Sequence, residues 1–184
     1  MYTNKMIKLQ QFLKNKSIAL LGNAKSILDS KKDIDKFEVV CRCNKGFPKG
    51  KEGYIGSRTD VLFLSIPLHE NVIKEEYNTK HILWCTANRK EIVKWYIKNC
   101  PMFNLKAWDE LSKIVEARPS TGCIAITYLI TNVKFKSLTL FGFDSWDTPN
   151  WYTGCINIRN HNLEGEKKYI ERLIREDKRI SIIK

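Results

Sequence analysis

The chain has 184 residues with 43% hydrophobic and 28% charged content, which is typical of one globular domain and excludes a disordered or fibrous protein. No apolar run approaches the ~18 residues of a membrane span, and the N-terminal residues lack the apolar core of a signal peptide. The net charge of +12 fits either a solvated lysine-rich surface or an anionic partner: a nucleotide, an acidic glycan, a membrane surface or nucleic acid.

Short apolar runs alternate with amphipathic segments, which predicts a single α/β domain over residues 1–184 with a mostly parallel sheet flanked by helices. Residues 1–16 are expected to form a short N-terminal extension or helix. Strands are predicted at 17–21, 37–42, 59–64, 81–86, 137–141 and 180–183. Helices are predicted from Gly22-Asn23 to about residue 30, after a cap at Asn88, and at 104–115, 120–132 and 163–177. The β-branched content of 120–132 leaves a strand as the alternative there.

Gly22-Asn23 follows the first predicted strand, and Asn44 follows the second. Ligands of open parallel sheets bind at the carboxyl ends of the strands, where glycine permits close approach of the backbone. A helix start after Asn23 would favour an anion such as phosphate. Ordinary turns also use Gly-Asn and Asn-x-Gly sequences, so each motif alone is a weak signal.

Arg118-Pro119-Ser120-Thr121-Gly122 opens the helix predicted at 120–132. Capping explains the serine and the proline, and the first-turn amides with two hydroxyls would cradle an anion. Gly122 is less well explained, because glycine inside a helix costs ~1 kcal/mol. A bulky ligand pressing on the backbone would account for it.

His161 lies beside a glycine- and aromatic-rich loop at 143–160, with Glu166 five residues later. Histidine is the natural base for a sugar hydroxyl near neutral pH, although a surface or capping histidine is the commoner case. The six cysteines form no C-x-x-C pair, and we expect free thiols in a reducing compartment. Residues 144–147 do not form a D-x-D motif, so we expect neither a metal nor another cofactor.

Taken in this order, these segments resemble the sialylmotifs of glycosyltransferase family 29, the animal-type sialyltransferases. The large motif is matched by IALLGN at 18–23, VVCRCNK at 39–45 and GSRT at 56–59. The small motif is matched by PSTG at 119–122 followed by LFGF at 140–143, and the very small motif by His161 and Glu166. The similarity spans roughly residues 17–166. The richness in Lys, Ile and Asn is typical of an AT-rich bacterial or viral genome.

The resemblance implies a metal-independent, inverting transferase with a Rossmann-like, GT-A-variant sheet that moves sialic acid from CMP-sialic acid to a glycan hydroxyl. The family's histidine is the base, which corresponds to His161, and Glu166 is expected to anchor its helix. The residues assigned by this comparison to the nucleotide and the donor are Gly22, Asn23, Asn44, Ser120, Thr121, Gly122, Gly142 and Phe143.

Three departures from the family pattern affect these expectations. The positions of the family's disulfide correspond to Ile18 and about Val133, which agrees with a cytoplasmic protein. The family's His-Tyr-Tyr type motif is replaced by Asn150-Trp151-Tyr152, so Tyr152 or a lysine would take the place of the phosphate-contacting partner. The chain is also short for the family, so we expect no membrane anchor and at most a peripheral membrane contact.

Other functions remain open from the sequence. CMP-Kdo shares the nucleotide, the carboxylate and the ketose centre with CMP-sialic acid, and the motifs match mainly these shared parts. The chain could also be a non-catalytic module that binds a nucleotide or a glycan. Nucleic-acid binding is not favoured, because the lysines are spread along the chain and most tryptophans lie in core-like patterns.

Overall fold

The computed structural model describes residues 2–79, 81–87, 94–145, 147–156 and 160–183. The described strands are β1 (Ser17–Leu21), β2 (Val39–Cys43), β3 (Val61–Leu64), β4 (His81–Trp84), β5 (Ser137–Phe141) and β6 (Ile180–Ile183). The described α-helices are α1 (Tyr2–Leu13), α2 (Glu52–Ile55), α3 (Glu70–Val72), α4 (Lys94–Asn99), α5 (Leu105–Ile114), α6 (Thr121–Asn132) and α7 (Leu163–Glu176). A π-helical turn, Ile73–Tyr77, continues α3.

The strands form one open sheet in the order β4-β3-β2-β1-β5-β6, and every neighbouring pair is parallel. Leu21 at the end of β1 is in register with Arg42 on one side and Phe141 on the other. The carboxyl ends of three central strands are therefore level. The chain moves outward from β1 to β4 and then returns to the other side of β1, which makes this strand the topological switch point.

Each face of the sheet is covered, which explains why the central strands are continuous apolar runs rather than alternating ones. One face packs Ile18, Leu20 and Leu140 against α1, α5, α6 and α7. The other face packs Ala19 and Leu21 against the 3-10 turns and α2. Helix α6 lies against the sheet with eight of its 12 residues buried, so it contributes to the core around most of its circumference.

The predicted strands at 17–21, 137–141 and 180–183 are confirmed, and 120–132 forms a helix rather than the alternative strand. The second strand begins two residues late, because a 3-10 helix, Ile34–Lys36, precedes it and the Phe37 amide donates to the Ile34 carbonyl. The short helix predicted after Gly22-Asn23 is present as a 3-10 helix, Lys25–Leu28, which ends before residue 30. The Lys25 amide donates to the Pro149 carbonyl at 2.8 Å, which draws this segment towards the later loop. The predicted cap at Asn88 lies outside the described residues.

Candidate active site

A cleft of about 340 Å³ opens at the carboxyl edge of the sheet, beside the switch point. Its walls come from the ends of β1, β2 and β5, the start of α6, the loop after β5 and one side of α7. All the sequence-predicted site residues line this one cleft: Gly22, Asn23, Asn44, Ser120, Thr121, Gly122, Gly142, Phe143, Tyr152 and His161.

Gly22 is in close contact with the end of β5. Its amide donates to the Phe141 carbonyl at 2.7 Å, and a Cβ here would lie 2.3 Å from the Gly142 carbonyl oxygen. Because the obstructing atom belongs to the backbone, no side-chain rotation would relieve the contact. A residue without a side chain is therefore required to bring the two strand ends together at the floor of the cleft.

The two asparagines tie the strand ends to one another and to α6. Asn23 donates from Nδ2 to the Cys43 carbonyl at 3.0 Å, which joins the ends of β1 and β2. Asn44 adopts a left-handed backbone with φ 51°, accepts from the Ser65 amide at 2.9 Å and donates to Thr121 Oγ1 at 3.0 Å. Both side chains line the cleft, but each already has protein partners that fix its orientation.

The start of α6 supplies hydrogen-bond donors to the cleft. Ser120 caps the helix by accepting from the Cys123 amide at 3.1 Å, and Thr121 donates to Ser65 Oγ at 2.7 Å. The first amides of a helix have no acceptor within the helix, and the helix dipole favours negative charge at this end. The arrangement suits a phosphate or carboxylate, and Ser120, Thr121 and Gly122 all line the cleft.

Gly122 is explained by a protein neighbour. A Cβ at this position would lie 2.7 Å from Phe143 Cε1, so the phenyl ring occupies the space that the sequence assigned to a ligand. Phe143 follows Gly142, whose φ of +65° turns the chain sharply after β5. The ring thus packs against the start of α6 and forms part of the cleft wall.

His161 presents its Nε2 side as a potential base. Its Nδ1 lies 2.7 Å from the Arg118 carbonyl oxygen, and the side chain is 21% exposed. A carbonyl oxygen can only accept a hydrogen bond, so we assign the proton of the neutral ring to Nδ1. Nε2 then carries the lone pair, and the ring lines the cleft. This tautomer is the one required to remove a proton from a hydroxyl at Nε2.

Glu166, near the start of α7, lies close to the His161 ring and connects α7 to α6 through hydrogen bonds with Ser120. The side chain is fully buried, and its two oxygens accept from the Ser120 amide and from Ser120 Oγ, each at 2.6 Å. Burial raises the pKa of this carboxyl to about 7, against the hydrogen bonds from Ser120 that lower it. Oε1 is 3.8 Å from His161 Nδ1, so an ionised Glu166 would stabilise an imidazolium there.

Tyr152 reaches the cleft from the loop after β5. The Asn150 side chain accepts from the Tyr152 amide at 3.1 Å, and the ring of Trp151 packs edge-on against Tyr152 at 5.4 Å. Burial raises the pKa of the Tyr152 hydroxyl, although Asn150 and the Lys45 backbone partly oppose it, so the group stays protonated at neutral pH. It can therefore donate a hydrogen bond to an anion in the cleft.

Several cleft residues were missed by the sequence interpretation. Asp144 is buried and accepts through Oδ2 from Ser26 Oγ at 2.8 Å and from both the amide and the hydroxyl of Thr148. The carboxylate thereby fixes the loop after β5 against the 3-10 turn after β1. Ile170 and Ile174 also line the cleft from α7, where their helical spacing predicts only core packing. A search for the D-x-D motif alone overlooks Asp144.

In the part of the chain that the structure describes, no group of three or more His, Cys, Asp or Glu side chains is arranged to hold a metal ion. Within the same residues, no helix combines the length and apolar character needed to cross a membrane.

Neither a protein-family model nor a curated protein sequence matches this chain. Among solved structures, a mammalian sialyltransferase matches all of this chain and 79% of its own, with a TM-score of 0.66 and 16% identity. Its complex with Gal-beta-1-3GalNAc-ortho-nitrophenol gives a TM-score of 0.64, also at 16% identity and with the same coverage.

The sialyltransferase CstII from Campylobacter jejuni, in complex with the substrate analogue CMP-3FNeuAc, matches 91% of this chain and 78% of its own. Its TM-score is 0.59 and its identity 17%. At these identities the comparison establishes the fold. The chain is a Rossmann-like α/β protein with the open parallel sheet and flanking helices of these sialyltransferases.

Proposed function

We propose that this chain is a glycosyltransferase that moves sialic acid from CMP-sialic acid to a hydroxyl of a glycan acceptor, with His161 as the base. The observation that carries the proposal is the hydrogen bond from His161 Nδ1 to the Arg118 carbonyl, which leaves Nε2 unprotonated in a cleft shared with the α6 start. Support for the donor comes from the fold, which is shared with a sialyltransferase solved with a CMP-sugar analogue.

In the proposed reaction, Nε2 of His161 takes the proton of the acceptor hydroxyl as its oxygen attacks the anomeric carbon of the donor. The bond between that carbon and the phosphate oxygen breaks, and CMP leaves with the bonding electron pair. Ionised Glu166, 3.8 Å from Nδ1, stabilises the imidazolium. The proton then passes to solvent, and the base is restored.

The leaving phosphate gains negative charge as the bond breaks, so donors aimed at it lower the barrier. The amides of Thr121 and Gly122 at the start of α6 would supply them, with the protonated Tyr152 hydroxyl lining the same cleft. In this proposal no metal ion is needed, so chelation by EDTA should leave the transfer rate unchanged.

The test compares His161→Ala with wild type using CMP-sialic acid and a panel of glycan acceptors. Loss of a base typically costs 10²–10⁴-fold in rate, so turnover should fall by about that factor while calorimetric CMP affinity stays close to wild type. His69→Ala is the matched control, because that histidine lies outside the cleft at the start of α3. Full activity of His161→Ala would reject the base assignment.

The donor is tested in the same assay by offering CMP-Kdo in place of CMP-sialic acid. Faster transfer from CMP-Kdo than from CMP-sialic acid would make CMP-Kdo the donor and would leave the proposed reaction unchanged. Wild-type protein that binds CMP but neither transfers nor hydrolyses either donor would instead be a non-catalytic binding module.

A further inference from the structure

The helix that positions Glu166 also carries an apolar stripe into the cleft. Glu166 is held against the start of α6 by its two hydrogen bonds to Ser120, each at 2.6 Å. Ile170 and Ile174 follow it at intervals of four residues, so the three side chains lie on one face of α7. At about 1.5 Å per residue, Ile170 lies about 6 Å and Ile174 about 12 Å further along the helix axis than Glu166. The stripe therefore begins beside the proposed phosphate site and leads away from it.

Strand β6 extends this apolar surface. Ile182 is paired in the sheet with Leu140, which is two residues before Gly142. Ile170, Ile174 and Ile182 are each partly buried against the same core cluster, and all three line the cleft. We call these three residues the isoleucine wall. Isoleucine surface that faces a cleft stays in contact with water until a ligand covers it, and such a lining is typical of ligand pockets.

Phe143 connects the isoleucine wall with the start of α6. Its ring lies over Gly122, where a Cβ would be 2.7 Å from Cε1, and it packs against the same core cluster as the isoleucines. Phe143 also lines the cleft. The amides at the start of α6 and the apolar side chains thus belong to one continuous lining. A ligand whose phosphate lies at the start of α6 can place an apolar group on Phe143 and the isoleucine wall.

The chemistry of the isoleucine wall favours a nucleobase over a sugar. The faces of a pyrimidine ring carry no hydrogen-bonding groups, so isoleucines can cover them without depriving a polar group of its partner. The hydroxyls of an acceptor sugar would lose their hydrogen bonds to water at this surface, which costs free energy unless protein partners replace the water. A base needs polar partners only around its edge.

Asp144 offers an acceptor for the edge of such a base. It is buried and lines the cleft, and its Oδ2 accepts from Ser26 Oγ and from the amide and hydroxyl of Thr148. Its Oδ1 is also buried and has no hydrogen-bond partner among the residues that the structure describes. A buried acceptor without a donor destabilises the protein, and a donor on the ligand would remove this penalty. Glu171 lines the cleft too, but its side chain is exposed, so water already satisfies it.

We propose that Phe143 and the isoleucine wall bind the cytosine ring of the donor nucleotide, and that Asp144 Oδ1 accepts a hydrogen bond from the exocyclic amine of this ring. The inference rests on the proposed transfer reaction and specifies how its nucleotide is recognised. Uracil carries a carbonyl oxygen where cytosine carries the amine. A carboxylate attracts the amine and repels the carbonyl oxygen, so the site selects CMP over UMP.

Calorimetry with CMP and with ribose 5-phosphate tests the isoleucine wall, because the second ligand lacks the base. Wild type should bind CMP at least about tenfold more tightly than ribose 5-phosphate. Ile170→Ala/Ile174→Ala should lose about tenfold in CMP affinity and keep its affinity for ribose 5-phosphate, which also shows that the variant is folded. Leu173→Ala is the matched control, because Leu173 packs against the same core from α7 without lining the cleft. It should bind both ligands as wild type does.

UMP tests the contact with Asp144. Wild type should bind UMP roughly tenfold or more weakly than CMP. Asp144→Asn keeps an oxygen that can accept from Ser26 and Thr148 and places an amide donor where Oδ1 was, so it should bind UMP more tightly and CMP more weakly than wild type does. Glu171→Gln is the control and should keep the wild-type preference. Equal affinity of wild type for CMP and UMP overturns the role of Asp144.

Two outcomes overturn the base site as a whole. The first is a wild type that binds CMP no more tightly than ribose 5-phosphate. The second is an Ile170→Ala/Ile174→Ala variant that keeps its CMP affinity but has a raised KM for the glycan, which would make the isoleucine wall part of the acceptor site. The proposed reaction fails separately: a wild type that prefers CMP as expected but neither transfers nor hydrolyses CMP-sialic acid rejects the reaction and keeps the base site.

Discussion

Replacing Glu166 by glutamine should remove a large part of the pH dependence of folding stability. Burial raises the pKa of this carboxyl from 4.5 to about 7, so the folded protein holds the proton more tightly than the unfolded chain. The stabilisation of the folded state by protonated Glu166 is fully present below pH 4.5 and is lost as the pH rises through 7. At ~1.4 kcal/mol per unit, the shift corresponds to a loss of about 3 kcal/mol by pH 8.

The glutamine variant should lack this loss, because its side chain mimics the protonated acid. Its Oε1 can accept from the Ser120 amide, and its Nε2 can donate to Ser120 Oγ. Urea unfolding at pH 5, 6, 7 and 8 measures the slope for both proteins. Glu164→Gln is the control, since this exposed residue lies in the same first turn of α7 and should keep the wild-type slope. Equal slopes for Glu166→Gln and wild type would refute the reasoning.

Two further predictions concern single contacts. Gly122→Ala should leave stability within about 1 kcal/mol of wild type, because the better helix propensity of alanine offsets the strain of moving the Phe143 ring. The displaced ring should weaken CMP binding in calorimetry, and unchanged affinity would exclude it from the nucleotide site. Glu38→Gln should destabilise the protein at pH 7, because hydrogen bonds from the Ser17 amide and Lys16 lower the pKa of Glu38 to about 2. The contribution of the Glu38 carboxylate to folding stability is fully present above pH 4.5 and is lost as the pH falls towards 2. Thermal unfolding should therefore show a smaller loss of stability in Glu38→Gln at pH 3 than at pH 7. An equal loss at the two pH values would contradict this reasoning.

Much of the fold follows from local sequence patterns. Strands β1 and β5 are short apolar runs between polar residues or turns, and such runs predict strands buried in a parallel sheet. Residues 121–132 form a helix and not the alternative strand, because Ser120 caps the start of the helix and because the sheet and α7 cover it. The residues that follow β1, β2 and β5 line one cleft, because parallel strands deliver the residues after them to the same edge of the sheet.

Contacts between distant parts of the chain account for what the sequence did not predict. The segment after Asn23 is held against the later loop by the hydrogen bond from the Lys25 amide to the Pro149 carbonyl, and no local pattern marks that partner. Phe143 fills the space over Gly122 because the turn at Gly142 directs it there. Likewise, the pairing of Lys51 with Trp151 depends on the convergence of two loops from opposite sides of β1.

The position of β1 also constrains the order in which the protein can mature. This strand forms one of its two ladders with a nearby segment, but the other joins Ser17 to Ser137. During synthesis, its free edge stays unsatisfied until the segment that forms β5 has emerged from the ribosome. Such distant parallel pairing is slow and leaves intermediates prone to aggregation. The cleft at the carboxyl edge of the sheet is therefore among the last features to form, and chaperone assistance would act mainly on chains that still lack β5.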